Sequence, residues 1–370
     1  MADLMQASAQ QMNRPTDERF PTLSALAQAT RARRMASLEV DVPKEDFTKV
    51  RASVSDEGLI TLGGHALNAW TAQQLCQRVS APYGYLRKLP VDLTAACLNQ
   101  GLMTHLADET EHRDTSLLIT PSTETHSSRL RAITSTSYTR IWDHEVVAML
   151  MEHAVGFGPP RAFGKEGTEG QNGSGLYAGD RDMFAFMVNE DDRIDVPGGD
   201  SLGRGFFVWN SEVGASSFGF MTFLFNYVCC NHIVWGSVEV EEFKVRHVGK
   251  ARDILMSLPK ALETLRLRGG KMREQELILQ AMNLEFGIGT TPVEEDIQRH
   301  AAKQKVKLTQ NEITGALGMA VQEEGLHSNT SPHSLWGFVQ GLTAYARDIP
   351  FAEKRVDVET RAGKLLPALV

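Results

Sequence analysis

Apolar and polar positions along the 370-residue chain change their spacing from stretch to stretch, and each spacing predicts a different element. Residues 1–35 are rich in Gln, Ala, Arg and Met without a clear period, which predicts a flexible N-terminal arm or a loosely docked helix. Residues 38–63 read as short strands. In "TAQQLCQRVSAPYGYLRKLP" a proline separates a helix from a short second one ending at Pro90, with Leu75, Val79 and Leu86 on the apolar side. "VDLTAACLNQGLMTHLAD" predicts a further helix, and "DTSLLITP" and "SRLRAITSTSY" predict two strands joined by a polar turn. "TRIWDHEVVAMLMEHAVGFG" reads as an amphipathic helix capped by Asp143 and ended by Gly156 and Gly158.

"GKEGTEGQNGSG" is expected as a surface loop. The strand patterns "LYAGDRDMFAFMV" and "GRGFFVWNSEVG" flank a turn-rich acidic loop with Glu190, Asp191, Asp192, Asp195 and Asp200. Phe206–Gly236 is the most apolar and aromatic stretch and reads as a core strand or strand–helix unit. A basic helical region is expected over about 249–285, mixed-charge helix over 293–325, and a last apolar helix in "SLWGFVQGLTAYARD" with Leu335, Phe338, Leu342 and Tyr345 at helical spacing. Clustered strands beside long helices, without regular alternation, predict an α+β fold: an antiparallel sheet with several packed helices. The expected division is an arm over 1–35, one domain over 36–350, and a C-terminal tail over 351–370.

A hydrophobic fraction of 42% is ample for a sizeable core. No apolar run reaches the roughly 18 residues of a membrane-spanning helix, and the polar N-terminus lacks the apolar region of a secretory signal. Four cysteines do not make a disulfide scaffold, so a cytoplasmic setting is expected. Net charge is −8, yet Lys244–Arg273 holds nine basic residues against two acidic ones. A local cationic patch of this kind can bind phosphate in an acidic protein.

The obvious chemistries fail their spacing rules. Cys229 and Cys230 would point to opposite faces of a strand, and no C-x2-C or H-x3-H pair completes a site, so neither a metal nor another cofactor is expected. "GPPRAFGKEG" has one residue too many between its glycines for a phosphate loop, and Glu166 stands where Ser or Thr should hold magnesium. Ser211 has no nucleophile elbow. His144 sits between Asp143 and Glu145, neighbours that do not face it on a helix. The acidic loop lacks calcium-ligand spacing. No catalytic residue is therefore expected. Arg246 and His247 are adjacent at a strand end just before a helix, where they could reach an anion.

Four stretches together resemble one family: "WTAQQLCQRVSAPYGYLRKLPVDL", "SRLRAITSTSYTRIWDHEVVAML" around Tyr138, "WNSEVGASSFGFMTFLFNYVCCNHIVWG" running into "KVRH", and "SLWGFVQGLTAYARD". They are similar to the phage/plasmid-like proteins built on a domain of unknown function, DUF932, over roughly residues 60–350. Ser211, Glu212, Gly214, Val228, Cys229, Asn231, Arg246 and His247 match its pattern, whereas His232 and Val248 stand where it has Gly and Thr. The resemblance implies origin on mobile elements and no particular reaction.

Together these features lead us to expect a DNA-processing protein that binds nucleic acid, single-stranded DNA foremost, and self-assembles. Its expected contacts are Lys244, Arg246, His247, Lys250, Arg252, Lys260, Arg266, Arg268, Lys271 and Arg273, with Trp209, Tyr227 and Trp235 for base stacking. The alternative is an assembly or anti-defence factor that binds a host or phage protein through its acidic surface. A third reading, an enzyme on nucleic acid using the acidic loop, Glu212 or His247, meets no spacing rule.

Overall fold

The computed structural model describes residues 16–104, 114–123, 127–159, 175–195, 201–226, 232–233, 243–267, 271–323, 330–347, 349 and 352–366. The fold is α+β, with two mostly antiparallel sheets and packed helices. Helix α1 (Leu23–Met35) precedes the first sheet, which contains β1 (Leu38–Val42), β2 (Ala52–Val54), β3 (Ile60–Leu62), β4 (His65–Leu67), β5 (Thr115–Thr120) and β6 (Arg129–Ser135). Their order is β1-β5-β6-β4-β3-β2, and only the β4–β6 pairing is parallel. One face packs against α2 (Ala69–Arg78) and α3 (Val91–Thr104), burying Leu75, Val79, Leu86, Leu98 and Leu102 with Leu117, Ile119, Leu130 and Ile133. Helix α2 starts sharply: the Thr71 N–H donates to the Asn68 side chain at 2.8 Å, and the Asn68 N–H donates to the Thr71 hydroxyl at 2.9 Å.

After β6 comes α4 (Asp143–His153), then the second sheet: β7 (Leu176–Ala178), β8 (Met183–Asp195), β9 (Ser201–Asn210), β10 (Phe218–Asn226), β11 (His232–Ile233) and β12 (Phe243–Val245). The order is β11-β10-β9-β8-β7, with β12 also on β10. Alternation sorts its residues onto two buried faces. Met183, Ala185, Met187, Phe206 and Val208 face a core shared with α1 and α4, while Phe184, Phe186, Phe207, Trp209 and Phe223 form an aromatic layer on the other side. Phe186 and Phe223 stack 4.2 Å apart.

The helices that follow are α5 (Ala251–Leu255), α6 (Leu258–Leu267), α7 (Lys271–Asn283), α8 (Val293–Lys303), α9 (Gln310–Glu323), α10 (Leu335–Arg347) and α11 (Ala352–Leu365). Helices α7 to α11 build a second core with Ile194, Leu202 and Leu224, at the end of the sheet away from Asn210. Leu335, Phe338 and Leu342 lie in that core and Tyr345 packs against it. No helix among the described residues is long and apolar enough to cross a membrane.

Several expectations change. The expected arm contains α1, which packs on α4 with Leu26 and Thr30 buried. The expected tail contains α11, whose Val358, Ala362 and Leu365 are core residues and whose Arg361 pairs with Glu312 at 2.6 Å. The basic helical region is three helices, because Pro259 fits only the first turn of a new helix. Part of the acidic loop belongs to β8, which runs on to Asp195 past an irregularity between Asn189 and Arg193. Asp143 does not cap α4: Trp142 holds that position, its N–H bonded to Glu145 at 3.2 Å, and the Asp143 side chain turns inward. The "CCN" of "CCNH" and residues 164–174 of the expected glycine-rich loop lie outside the described residues.

Candidate functional site

The two sheets meet along a seam where apolar Trp70, Leu118, Ala132, Trp142 and Val213 pack together. A buried polar network crosses it. β6 places Arg131 inward, and its guanidinium donates to the Glu212 carboxylate at 2.7 Å and to the Ser37 hydroxyl at 2.8 Å. The other Glu212 oxygen accepts the Asp143 N–H at 3.0 Å, an otherwise unpaired donor at the start of α4. The Glu212 carbonyl accepts from Arg140, whose guanidinium also reaches Glu39 at 2.9 Å. Asn210 donates to Asp143 at 2.7 Å and to the Ile141 carbonyl at 2.9 Å. Burial first, then the Glu212 carboxylate, raise the Asp143 carboxyl well above the usual carboxylate range, against Arg33, the Asn210 bond and Arg131.

The turn after β9 is tied down just as densely. Ser211 donates through its hydroxyl to the Arg181 carbonyl at 2.6 Å and accepts from the Ala215 N–H at 2.9 Å, so it is a turn-forming hydroxyl. The Val213 carbonyl accepts from Trp70 at 2.9 Å and from Gln74 at 2.8 Å, two α2 residues one turn apart. The Tyr138 hydroxyl donates to the Ser211 carbonyl at 2.7 Å. Gly214 adopts φ +80°, the left-handed turn conformation that glycine accepts without strain.

At one end of the seam a pocket of about 320 Å³ opens between the halves. Gln74, Thr134, Ser135 and Tyr138 come from the first sheet side; Gly214, Ser216, Ser217, Arg246, His247 and Val248 come from the second. His247 is 4% exposed and stacks on Tyr138 at a centroid distance of 5.0 Å. Its Nδ1 lies 3.3 Å from the Thr139 carbonyl, an acceptor, so Nδ1 carries the proton. Burial lowers this imidazole to about 4, with Arg140 acting in the same direction and the Thr139 bond against it. His247 is therefore neutral at neutral pH. Arg246 is exposed, and its side chain makes no hydrogen bond or ion pair among the described residues.

The other expected contacts lie on several elements. Lys244, Lys250, Arg252, Lys260 and Arg266 are all exposed. Arg252 is engaged with Glu145 at 2.6 Å. Lys271 and Arg273 belong to α7, whose Glu274 approaches Arg204, about 20 Å along β9 from Asn210 at ~3.3 Å per residue. Arg268 lies outside the described residues. Trp209 is 4% exposed in the aromatic layer and offers no stacking face; Tyr227 and Trp235 lie outside the described residues. Gln74, Arg131, Arg140, Asp143 and Asn210 were not singled out as site residues from the sequence. The available signal was Arg131 amid apolar strand residues and Asn210 beside Ser211 and Glu212. Among the described residues no three His, Cys, Asp or Glu side chains are grouped to hold a metal ion.

No curated protein and no solved structure matches the chain. One family profile does, described as domain of unknown function (DUF932), over residues 135–362. The match begins at the last residue of β6, so it includes Tyr138, Glu212, Arg246 and His247 but not Gln74 or Arg131. It covers more than half of the chain, which therefore belongs to the DUF932 family.

Proposed function

We propose that this protein binds single-stranded nucleic acid, single-stranded DNA foremost, in the DNA processing of a phage or plasmid, and that it self-assembles along the strand. The observation that supports this reading most is a set of exposed cations without partners among the described residues, Arg246, Lys250, Lys260 and Arg266, on a chain of net charge −8. Cations left unpaired in an acidic protein are suited to phosphate, and strand binding of this kind is dominated by counterion release. With Trp209 buried, the contact rests on charge more than on base stacking. Among the expected contacts, Arg246 carries the reading as the cation that lines the seam pocket; Lys250 follows it four residues on, and Lys260 and Arg266 lie on α6.

Fluorescence anisotropy with labelled oligo(dT) at two salt concentrations tests this. Four phosphate contacts give about a fiftyfold weaker affinity on going from ~50 to ~200 mM salt, at a slope of ~0.7 per contact. Replacing Arg246 and Lys250 together by Glu should abolish binding at the higher salt. Absence of binding at the lower salt, or binding indifferent to salt, would sink the proposal. Light scattering with and without the strand tests the self-assembly.

A further inference from the structure

We propose that the seam pocket seats the terminal phosphate of the bound strand, with Arg246 as its counter-ion; this rests on the strand-binding reading and assigns a strand end to it. Four observations converge. The lining includes Thr134, Ser135, Ser216 and Ser217, whose hydroxyls bond neighbouring protein groups at 2.8–3.3 Å, and no acidic side chain is among the described residues that line it. The Arg246 guanidinium has no partner among the described residues and has access to solvent, so an anion at the mouth meets an uncommitted donor fork. The turn carrying Gly214 is backed by buried Glu212 and Arg131, and Gln74 and Thr134 on the opposite wall are themselves buried. These walls are fixed by the fold before an anion arrives. Finally, His247 is neutral at neutral pH, so the positive charge at the pocket is concentrated on Arg246 at its mouth.

A terminal phosphate monoester carries more charge than an internal diester, between about −1.5 and −2 at neutral pH. It also exposes three acceptor oxygens to the guanidinium. Both the 5′ and the 3′ end of a strand present this chemistry when phosphorylated.

The test compares oligo(dT) of one length bearing a 5′-phosphate, a 3′-phosphate or hydroxyls at both ends, by anisotropy at fixed salt. One phosphorylated end should bind about tenfold more tightly than the hydroxyl strand, and which end gains identifies the polarity. Arg246→Gln should erase that gain, and so should Ser216→Leu, which fills the pocket without changing charge. Lys260→Gln should weaken all three strands alike. Equal affinity for all three strands overturns the pocket assignment and leaves strand binding standing. Should no strand bind, calorimetry with dTMP decides the pocket separately. Binding of dTMP that is lost in Arg246→Gln supports the phosphate seat without the strand reading, and no binding of dTMP overturns both.

Discussion

At His247 and Asp143 burial acts on proton affinity in opposite directions, and the two can be separated by pH. An unfolded histidine titrates near 6.5, the folded one at about 4. As pH falls between those values the unfolded chain takes up a proton that the fold refuses. The corresponding stability is present above about 6.5 and lost on the way to 4, roughly 3 kcal/mol in all. Asp143 works the other way: the fold keeps a proton that the unfolded chain releases near 3.9, so its contribution is present at low pH and lost as pH rises through the raised folded value. Urea midpoints of His247→Gln should therefore change less than wild type between about pH 7 and about pH 5, and those of Asp143→Asn should fall less as pH rises. Unchanged profiles would show that neither group titrates as its surroundings dictate. Arg246 and His247 were legible as a pair in the sequence. Their division into an exposed cation and a buried neutral ring was not, because that depends on Tyr138 and Thr139, more than a hundred residues away in the chain.

Among the elements, strands and helices with a strong period were readable: the alternating pattern around Phe206 and the helical spacing of Leu335, Phe338 and Leu342 both lead to core positions. What the pattern hid was contact between elements. Gly341 in α10 shows it. A Cβ there would lie 2.2 Å from the Ala316 carbonyl oxygen and 2.8 Å from the Ala320 Cβ, so α9 and α10 cross with their backbones close. In an open helix Gly→Ala gains about 1 kcal/mol. Here the helices must part, and overpacking costs about 1–3 kcal/mol. Gly341→Ala should thus lower the melting temperature, whereas the same change at Gly318 in α9, where a Cβ meets nothing within 4 Å, should raise it. The basic helical region expected over 249–285 is helical but divided, for a related reason. Charge suggested one surface, but the apolar residues of α6 and α7 enter different cores, so their cations share no face by necessity.

At the scale of the whole molecule, Glu212 joins three parts of the chain: Arg131 in β6, the start of α4, and its own turn after β9. Removing one partner of a buried pair leaves the other charge unpaired, at a cost of about 3–5 kcal/mol. Glu212→Ala should therefore destabilise the fold by that order in urea unfolding, and Glu212→Gln, which keeps one acceptor, by less. A loss under 1 kcal/mol for Glu212→Ala would show that the seam is held by its apolar contacts alone. The sequence marked Glu212 as part of a recognisable pattern but not as a joint, since both its partners lie about seventy to eighty residues upstream.

The pocket draws its walls from both sides of that joint, with Gln74, Thr134, Ser135 and Tyr138 facing Ser216, Arg246 and His247. It is therefore a property of assembly and belongs to neither half. Any occupant acts as a clasp: it binds only the folded arrangement in which both walls are present, and by mass action it favours that arrangement as its own concentration rises. Affinity at the mouth and cohesion of the two sheets thus become one equilibrium, so a substitution deep in the seam, far from any ligand, changes how tightly the pocket holds its guest.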